Sequence, residues 1–302
     1  MMEISPATMA APPRLRILGL AVRPRTLSCA VVPVLLGTAV ASAVGQARWL
    51  PALACLACSL LIQIGTNLVN DYADHEKGAD HDGRLGPQRV TASGLAEART
   101  VKRWAAAAFG LAILPGAYLV AIGGWPILVA GLLSFASGYA YTAGPYPLGY
   151  HGLGDLFVLV FFGFVATLGC TWVQTHTLPA LAWLAAVPAG GLATAILVVN
   201  NLRDAPTDAV AGKKTLAVRL GTKAARAQYA LLLALSLATP IVLFLSGLSR
   251  AWVLLPLLAG PLAVRPLLLV LEASGRELNE ALAGTARLHL VVGALLALGL
   301  SL

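Results

Sequence analysis

Acidic residues are scarce in this 302-residue chain and are concentrated in two short windows. The chain has 13 Asp and Glu residues, and six of its seven aspartates lie within residues 71–82 or at positions 204 and 208. Asparagines precede both windows, at positions 67 and 70 and at positions 200 and 201. Carboxylate and amide oxygens are hard ligands that suit Mg²⁺ better than zinc or copper. The two windows therefore predict oxygen-rich sites for Mg²⁺.

The spacing of the aspartates places them in pairs on common helix faces. Asp71 and Asp74 are three residues apart, and Asp204 and Asp208 are four apart, so each pair shares a face if the helix continues. Both windows follow long apolar segments and lie at predicted helix C-termini, where the helix dipole disfavours anions. Such clusters are unfavourable unless a cation lies between the carboxylates. The alternative is that they are ordinary solvated loop residues, but this does not account for the asparagines that precede both windows.

Basic residues follow each acidic window. They are Lys77, Arg84 and Arg89 after the first window, and Lys213, Lys214 and Arg219 after the second. Clustered carboxylates beside clustered cations suit a phosphate group bridged by Mg²⁺. Membrane proteins also collect basic residues in their cytoplasmic loops, so only a few of these side chains need to contact a substrate.

The elements that must position these windows are apolar helices. Hydrophobic residues make up 58% of the chain, charged residues only 11%, and the mean hydropathy is +0.81. This composition excludes a soluble globular protein, a disordered chain, a disulfide-stapled secreted domain and a conventional nucleic-acid binder. The apolar segments are residues 26–47, 49–70, 104–154, 156–202 and 227–249, which carry no charge, residues 251–271, which contain Arg265, and the tail from about 283, which contains Arg287. Because a membrane span needs roughly 20 apolar residues, and the two longest segments each fit two, they predict nine transmembrane helices.

The distribution of the 21 Lys and Arg residues supports this count. With a cytoplasmic N-terminus, 19 of them lie on the cytoplasmic side and only Arg48 and Arg250 lie outside. A wrong helix count would scramble this division. We therefore predict an all-α polytopic protein with nine helices around a central cavity. Its N-terminal segment, residues 1–25, would be cytoplasmic, and residues 26–302 would form a single transmembrane domain.

The two windows resemble the Asp-rich motifs of the UbiA superfamily of intramembrane aromatic prenyltransferases. The run N-D-x-x-D at residues 70–74 matches the first motif, although Gly78 replaces its third aspartate and the next aspartate is Asp80. The second window reads N-N-L-R-D-x-x-x-D at residues 200–208 and continues as G-K-K-T-L at residues 212–216. These variants resemble the 1,4-dihydroxy-2-naphthoate polyprenyltransferase branch, which serves menaquinone biosynthesis.

This resemblance covers about residues 20–225, and the last three helices match only in hydropathy. It implies transfer of a polyprenyl chain from an allylic diphosphate to 1,4-dihydroxy-2-naphthoate, with loss of CO₂, to give demethylmenaquinol. The implied cofactor is Mg²⁺, and the implied partners are a polyprenyl diphosphate, an aromatic acceptor and the lipid bilayer, with no nucleic acid. The implied location is the cell (inner) membrane, with the active site facing the cytoplasm.

The resemblance also implies which residues form the site. The expected catalytic residues are Asp71, Asp74, Asp204 and Asp208. One Mg²⁺ would be held by Asp71, Asp74 and Asp80 and a second by Asp204 and Asp208, and both would bridge diphosphate oxygens. The expected substrate-binding residues are Asn67, Asn70, Arg25, Arg84, Asn201, Lys213, Tyr141 and Tyr146. The tyrosines have an alternative role as anchors at the membrane interface.

Two other functions remain open from the sequence. One is prenyl transfer to a different aromatic acceptor, such as homogentisate, 4-hydroxybenzoate or a chlorophyllide. The other is a cation-coupled transporter, since paired carboxylates and an internal repeat occur in that class too. Transporter acids are expected near mid-membrane, whereas these aspartates lie at predicted helix ends, which favours the enzyme.

Overall fold

The structure is a computed structural model that describes residues 13–79 and 85–302. Over those residues the chain forms helices and no strand, which confirms the all-α prediction for this part of the chain. The helices are α1 Arg14–Val22, α2 Ser28–Ala43, α3 Trp49–Glu76, α4 Ala98–Gly123, α5 Trp125–Ala140, α6 Gly154–Thr175, α7 Ala180–Val210, α8 Leu216–Leu245, α9 Ala251–Glu272 and α10 Gly275–Ser301.

The described residues do not confirm the nine membrane-spanning helices that the sequence predicted. Within residues 13–79 and 85–302, seven helices are long and apolar enough, and an eighth qualifies if α1 and α2 count as one bent span. The remaining apolar helix, α5, has 16 residues. At a rise of 1.5 Å per residue such a helix is about 24 Å long, which is shorter than a hydrocarbon core of roughly 30 Å. The structure therefore supports a polytopic helical bundle and not the exact count.

A sharp bend separates α1 from α2. The segments Leu15–Thr26 and Ser28–Ala43 meet at 51°. Arg23 has a φ of 56°, which is uncommon for a residue other than glycine, and Pro24 fixes the backbone that follows. The bend turns the Arg23 side chain toward the interior of the bundle.

Helix α7 lies at the centre of the bundle, and 78% of its apolar window is buried. Its glycines allow α6 to pack directly against it. A Cβ atom on Gly190 would lie 2.6 Å from the carbonyl oxygen of Leu159 and 2.8 Å from the Cα of Gly163. The facing segment of α6, Leu159–Val165, is π-helical. Any larger residue at position 190 would push α6 and α7 apart.

Helices α3 and α7 carry the two acidic windows to the same end of the bundle. Asp71 and Asp74 lie in the last turns of α3, and Asp204 and Asp208 lie in the last turns of α7. The α3 and α7 asparagines that precede these aspartates line one common cavity. The fold thus brings together two sequence windows that are 133 residues apart, counted from Asp71 to Asp204.

Candidate active site

A cavity at this end of the bundle contains about 1440 Å³ of empty space, part of it open to solvent. Asn67 and Asn70 of α3 line it from one side, and Asn200 and Asn201 of α7 line it from another. Asn67 is held in place because its amide donates to the Val22 carbonyl oxygen at 2.9 Å and to the Thr26 hydroxyl at 3.0 Å. The bend after α1 therefore forms part of the cavity wall.

The cavity has one polar wall and one apolar wall. The polar wall comes from α3 and α5 and carries Ser59, Gln63, Thr66, Ser134 and Ser137. The apolar wall comes from α6 and α7 and carries Phe157, Phe161, Phe162, Ile196 and Leu197. An aromatic and aliphatic wall suits a hydrocarbon chain, and hydroxyl and amide groups suit the polar groups of a second molecule.

The charged lining residues lie near the helix ends. Among the described residues that line the cavity, three are cationic, Arg23, Arg89 and Lys213, and one is a carboxylate, Asp74. The lining therefore has an excess of positive charge at this position. Such an excess attracts a polyanionic head group, for which arginine is a favoured partner.

Asp74 is buried and is held by two side chains. Its Oδ2 accepts from Arg89 Nη2 at 3.0 Å, and its Oδ1 accepts from the Tyr150 hydroxyl at 2.9 Å. Only 3% of the Asp74 residue is exposed. Its negative charge is therefore compensated within the protein.

Asp71 organises the loop that follows α3. Its Oδ1 accepts from the backbone N–H of Thr91 at 2.9 Å, and its Oδ2 accepts from that of Val90 at 3.2 Å. Arg23 Nη2 lies 4.0 Å from the same Oδ2. Asp71 thus ties the loop that carries Arg89 to α3.

In the second window, Asp204 forms a buried ion pair with its own chain neighbour. Arg203 donates from Nε to Asp204 Oδ1 at 2.8 Å and from Nη2 to Asp204 Oδ2 at 2.6 Å. The same guanidinium donates to Asn200 Oδ1 and to Asn279 Oδ1, each at 2.8 Å. Arg203 is 1% exposed, so these four bonds replace its hydration.

Lysines and an aromatic ring complete the site near Asp208. Lys213 Nζ lies 3.8 Å from Asp208 Oδ1 and 5.5 Å from the centre of the Tyr150 ring. Lys77 Nζ lies 4.9 Å from the same ring centre and donates to the Thr142 carbonyl oxygen. Burial lowers the pKa of the Lys77 ammonium below its usual value, and the nearby Asp74 charge opposes this shift.

Tyr141 lines the cavity from the end of α5, and two glycines make room for its ring. A Cβ on Gly154 would lie 2.8 Å from the Tyr141 hydroxyl, and one on Gly149 would lie 3.2 Å from the ring. Burial raises the pKa of the Tyr141 hydroxyl, and the charge of Asp155 raises it further. Tyr141 therefore remains a neutral hydroxyl at physiological pH.

Some of the predicted site residues line the cavity and others do not. The cavity is lined by Asn67, Asn70, Asp74, Tyr141, Asn201 and Lys213, as expected for residues that bind substrate or metal. Arg25 is exposed and lies outside the lining, because the bend at Pro24 directs Arg23 inward instead. Tyr146 is 57% exposed and stacks on His151 at 3.7 Å between ring centres, so it also lies outside the lining. Asp80 and Arg84 lie outside the described residues.

The site residues that were not among those predicted to bind substrate or metal include Arg23, Gln63, Arg89 and Arg203. The run R-P-R-T at residues 23–26 marked the first of them, but not which arginine turns inward. Arg203 carried a partial signal, since an arginine at the end of an apolar helix needs a buried anion, but its position does not show which anion it pairs with.

The two predicted metal clusters remain a prediction, since Asp80 lies outside the described residues and the second cluster was predicted with two ligands. Among the described residues, no three acidic, His or Cys side chains converge on one point. The reason is that both oxygens of Asp71 face backbone N–H groups and both oxygens of Asp204 face Arg203. The donor chemistry still fits Mg²⁺, because the carboxylate of Asp74 and the amides of Asn67, Asn70 and Asn201 line one cavity. The arginines supply the compensating charge in this arrangement.

Comparison with known proteins identifies the family. The model of the UbiA prenyltransferase family matches residues 30–291. The chain belongs to the UbiA prenyltransferase family. It is 40% identical over 270 residues to the 1,4-dihydroxy-2-naphthoate octaprenyltransferase of Mycobacterium tuberculosis, covering 89% of this chain and 91% of the relative. It is 41% identical over 249 residues to the Escherichia coli protein of the same name, covering 80% of this chain and 81% of the relative.

The fold agrees with this family assignment. A UbiA homologue from Archaeoglobus fulgidus, solved with DMAPP and Mg²⁺ bound, superimposes with a TM-score of 0.61. The alignment covers 92% of this chain and 98% of the homologue at 16% sequence identity, so the similarity is one of fold. The family membership favours the enzyme over the transporter alternative.

Proposed function

We propose that this UbiA family member transfers a polyprenyl chain from an allylic diphosphate to 1,4-dihydroxy-2-naphthoate, with loss of CO₂, in menaquinone biosynthesis. The observation that carries the proposal is the cavity, which has one polar wall, one apolar wall and a cationic rim formed by Arg23, Arg89 and Lys213. The relatives that share 40% and 41% of their aligned residues with this chain are named for transfer to this acceptor.

The rim binds the diphosphate head. Arg23, Arg89 and Lys213 supply positive charge from three different segments, so a head group contacts several cations at once. Arginine and lysine also hold the charge that develops on the leaving diphosphate as the allylic C–O bond breaks. Asn70 and Asn201 lie beside them and can donate to the same oxygens through their amide groups.

The residues that would hold Mg²⁺ are those of the two acidic windows. Asp74 lines the cavity, Asp71 lies one turn before it on α3, and Asp204 and Asp208 end α7. Bound there, Mg²⁺ supplies positive charge to the diphosphate oxygens and stabilises the leaving group. For these carboxylates to serve as ligands, Arg89 and Arg203 must share them with the metal or turn toward the diphosphate.

The apolar wall accommodates the prenyl chain and excludes water from the reacting carbon. Phe157, Phe161 and Phe162 present aromatic faces that can stabilise a developing allylic cation. The ring carbon of the acceptor that bears the carboxylate forms the new C–C bond. The electron pair of the bond to the carboxylate returns to the ring as CO₂ leaves, and diphosphate departs with the electrons of the C–O bond.

We also propose the placement of the site in the cell. The cavity lies at the end of the bundle where α3 and α7 end, and the basic loops that connect α3 to α4 and α7 to α8 begin at that end. The excess of Lys and Arg in these loops supports a cytoplasmic orientation in the cell membrane. The substrates would then reach the rim from the cytoplasm or the adjoining leaflet.

An acceptor panel tests the proposed function. Membranes containing the protein are supplied with Mg²⁺, a labelled polyprenyl diphosphate and one aromatic acceptor at a time. We expect prenylation of 1,4-dihydroxy-2-naphthoate and none of 4-hydroxybenzoate or homogentisate. Comparable turnover of either of the other acceptors would contradict the proposed specificity, and no turnover of any acceptor would contradict the proposed activity.

A further inference from the structure

We infer that Asn279, in the last helix, is a positioning residue that couples the two acidic windows. The inference rests on the proposed function, because it concerns how the same site binds its diphosphate substrate. Asn279 lies outside both windows, near the start of α10, and it does not line the cavity. Its side chain nevertheless contacts Arg203, which precedes Asp204 in the second window, and Leu85, which lies in the segment after the first window.

The first contact is with the buried ion pair of the second window. Arg203 Nη1 donates to Asn279 Oδ1 at 2.8 Å, while Nε and Nη2 of the same guanidinium hold Asp204. A guanidinium is planar, so an anchor on one nitrogen fixes the direction in which the others point. Asn279 and Asn200 therefore set the orientation of Arg203, and through it the orientation of the Asp204 carboxylate.

The second contact is with the segment that follows the first window. Asn279 Nδ2 donates to the Leu85 carbonyl oxygen at 3.0 Å. Four residues further on, Arg89 pairs with Asp74, and the next two backbone N–H groups bind Asp71. Anchoring Leu85 therefore fixes the start of the short segment that holds both α3 carboxylates.

The chemistry of the partners requires an amide at position 279. Arg203 offers only N–H donors, and the carbonyl oxygens of Leu85 and Arg276 can only accept. The amide orientation of Asn279 is therefore determined by its neighbours. An aspartate would keep the bond from Arg203 and lose the bonds to the carbonyl oxygens, whereas a leucine of similar size would lose all of them.

The inference predicts a change in binding of the head group rather than of the acceptor. Under the proposed function the diphosphate and Mg²⁺ would engage the acidic windows that Asn279 links, whereas the acceptor would contact the polar wall formed by α3 and α5. Loss of a bond to a buried guanidinium should weaken binding of the head group about tenfold. The KM of the aromatic acceptor should stay within about twofold of the wild-type value.

The experiment compares three variants in purified full-length protein. Asn279→Leu removes the contacts with both windows, whereas Asn279→Asp keeps the bond from Arg203 and removes those to the carbonyl oxygens of Leu85 and Arg276. Glu280→Gln is the matched control, because the neighbouring Glu280 forms an ion pair with Arg265 in which both side chains are more than half exposed. Calorimetry measures binding of geranyl S-thiolodiphosphate, a non-cleavable analogue, at a series of Mg²⁺ concentrations, and steady-state kinetics measure both KM values.

We expect Asn279→Leu to weaken binding of the analogue and to raise the half-saturating Mg²⁺ concentration, each about tenfold. Asn279→Asp should fall between this variant and the wild type, and Glu280→Gln should match the wild type. Unchanged binding of the analogue by a folded Asn279→Leu protein would overturn the inference. An equal increase in the KM values of both substrates would also overturn it. If that variant does not fold, Asn279→Asp decides by the same criteria.

The binding measurement separates this inference from the proposed function. It needs no acceptor and no turnover, so it reports on the link between the windows even if 1,4-dihydroxy-2-naphthoate is not the substrate. If the acceptor panel shows no turnover of 1,4-dihydroxy-2-naphthoate but Asn279→Leu binds the analogue about tenfold more weakly, only the proposed function is overturned.

Discussion

Arg89 Nη2 donates to Asp74 Oδ2 at 3.0 Å, and both residues are buried, with 7% and 3% of their surface exposed. The first acidic window therefore carries its own counter-charge. The sequence predicts two pairs of carboxylates that are unfavourable unless a cation lies between them. In the structure Asp74 and Asp204 are each paired with an arginine, and Asp71 accepts from two backbone N–H groups. Removing any of these carboxylates therefore leaves buried donors without acceptors.

Asp74→Asn should nearly abolish turnover. An amide keeps the size of the side chain and one acceptor oxygen, but it removes the one carboxylate that lines the cavity among the described residues. We expect a loss of about a thousandfold in kcat, equivalent to about 4 kcal/mol of transition-state stabilisation. Single-turnover kinetics in membranes provide the measurement. A rate within tenfold of the wild type would exclude Asp74 from the catalytic site.

Asp71→Asn should reduce both activity and stability. The carboxylate accepts one backbone N–H on each oxygen, and an amide can replace only one of these acceptors. The buried N–H left without a partner should cost about 1–3 kcal/mol. Thermal unfolding in detergent measures this loss. Glu76→Gln is the control, because the half-exposed ion pair of Glu76 with Lys102 should contribute no more than about 1 kcal/mol.

Gly190→Ala should disturb the apolar wall of the cavity. The new methyl group would meet the Leu159 carbonyl oxygen at 2.6 Å, so α6 must move away from α7. We expect a destabilisation of about 1–3 kcal/mol and a higher KM for the prenyl diphosphate. Gly110→Ala on α4 has no atom within 4 Å of the added methyl group and should be neutral or stabilising by up to about 1 kcal/mol. Equal stability of the two variants would show that the close contact of α6 with α7 is wrong.

Reporter fusions should test the orientation in the membrane. The division of Lys and Arg residues predicts outside signals after Gly45, Gly123, Thr175, Gly247 and Leu302. Fusions near Gly78 and Gly212 should report the cytoplasm, since these residues lie beside the acidic windows. An inside signal at Leu302 would require one span fewer than the nine predicted and would contradict this topology.

The sequence predicted which windows converge but not how their side chains pair. The four asparagines that line the cavity could be foreseen, because both windows end apolar helices that must lie at the same side of the membrane. The pairing of Arg203 with Asp204 could not, since it depends on the rotamer of a residue that also contacts α10. Neither could the choice between Tyr141 and Tyr146, which depends on how the loop between them folds back.

The length of α5 marks another limit of the sequence pattern. Absence of charge over residues 104–154 showed that two helices fit there, but it did not show where each one stops. The structure ends α5 at Ala140 after 16 residues, and the following segment becomes the loop that carries Tyr141 and Tyr150. Hydropathy cannot distinguish an apolar loop over a cavity from a further turn of helix, since both are free of charge.

The central claim is most directly tested by following the carboxyl carbon of the acceptor. Membranes containing the protein are given 1,4-dihydroxy-2-naphthoate labelled in its carboxyl group, a polyprenyl diphosphate and Mg²⁺, and released CO₂ is measured together with prenylated product. We predict one CO₂ released for each prenyl group transferred, no release in the presence of EDTA, and recovery when Mg²⁺ is restored. Prenylated product that retains the label, or equal release with EDTA present, would contradict the account.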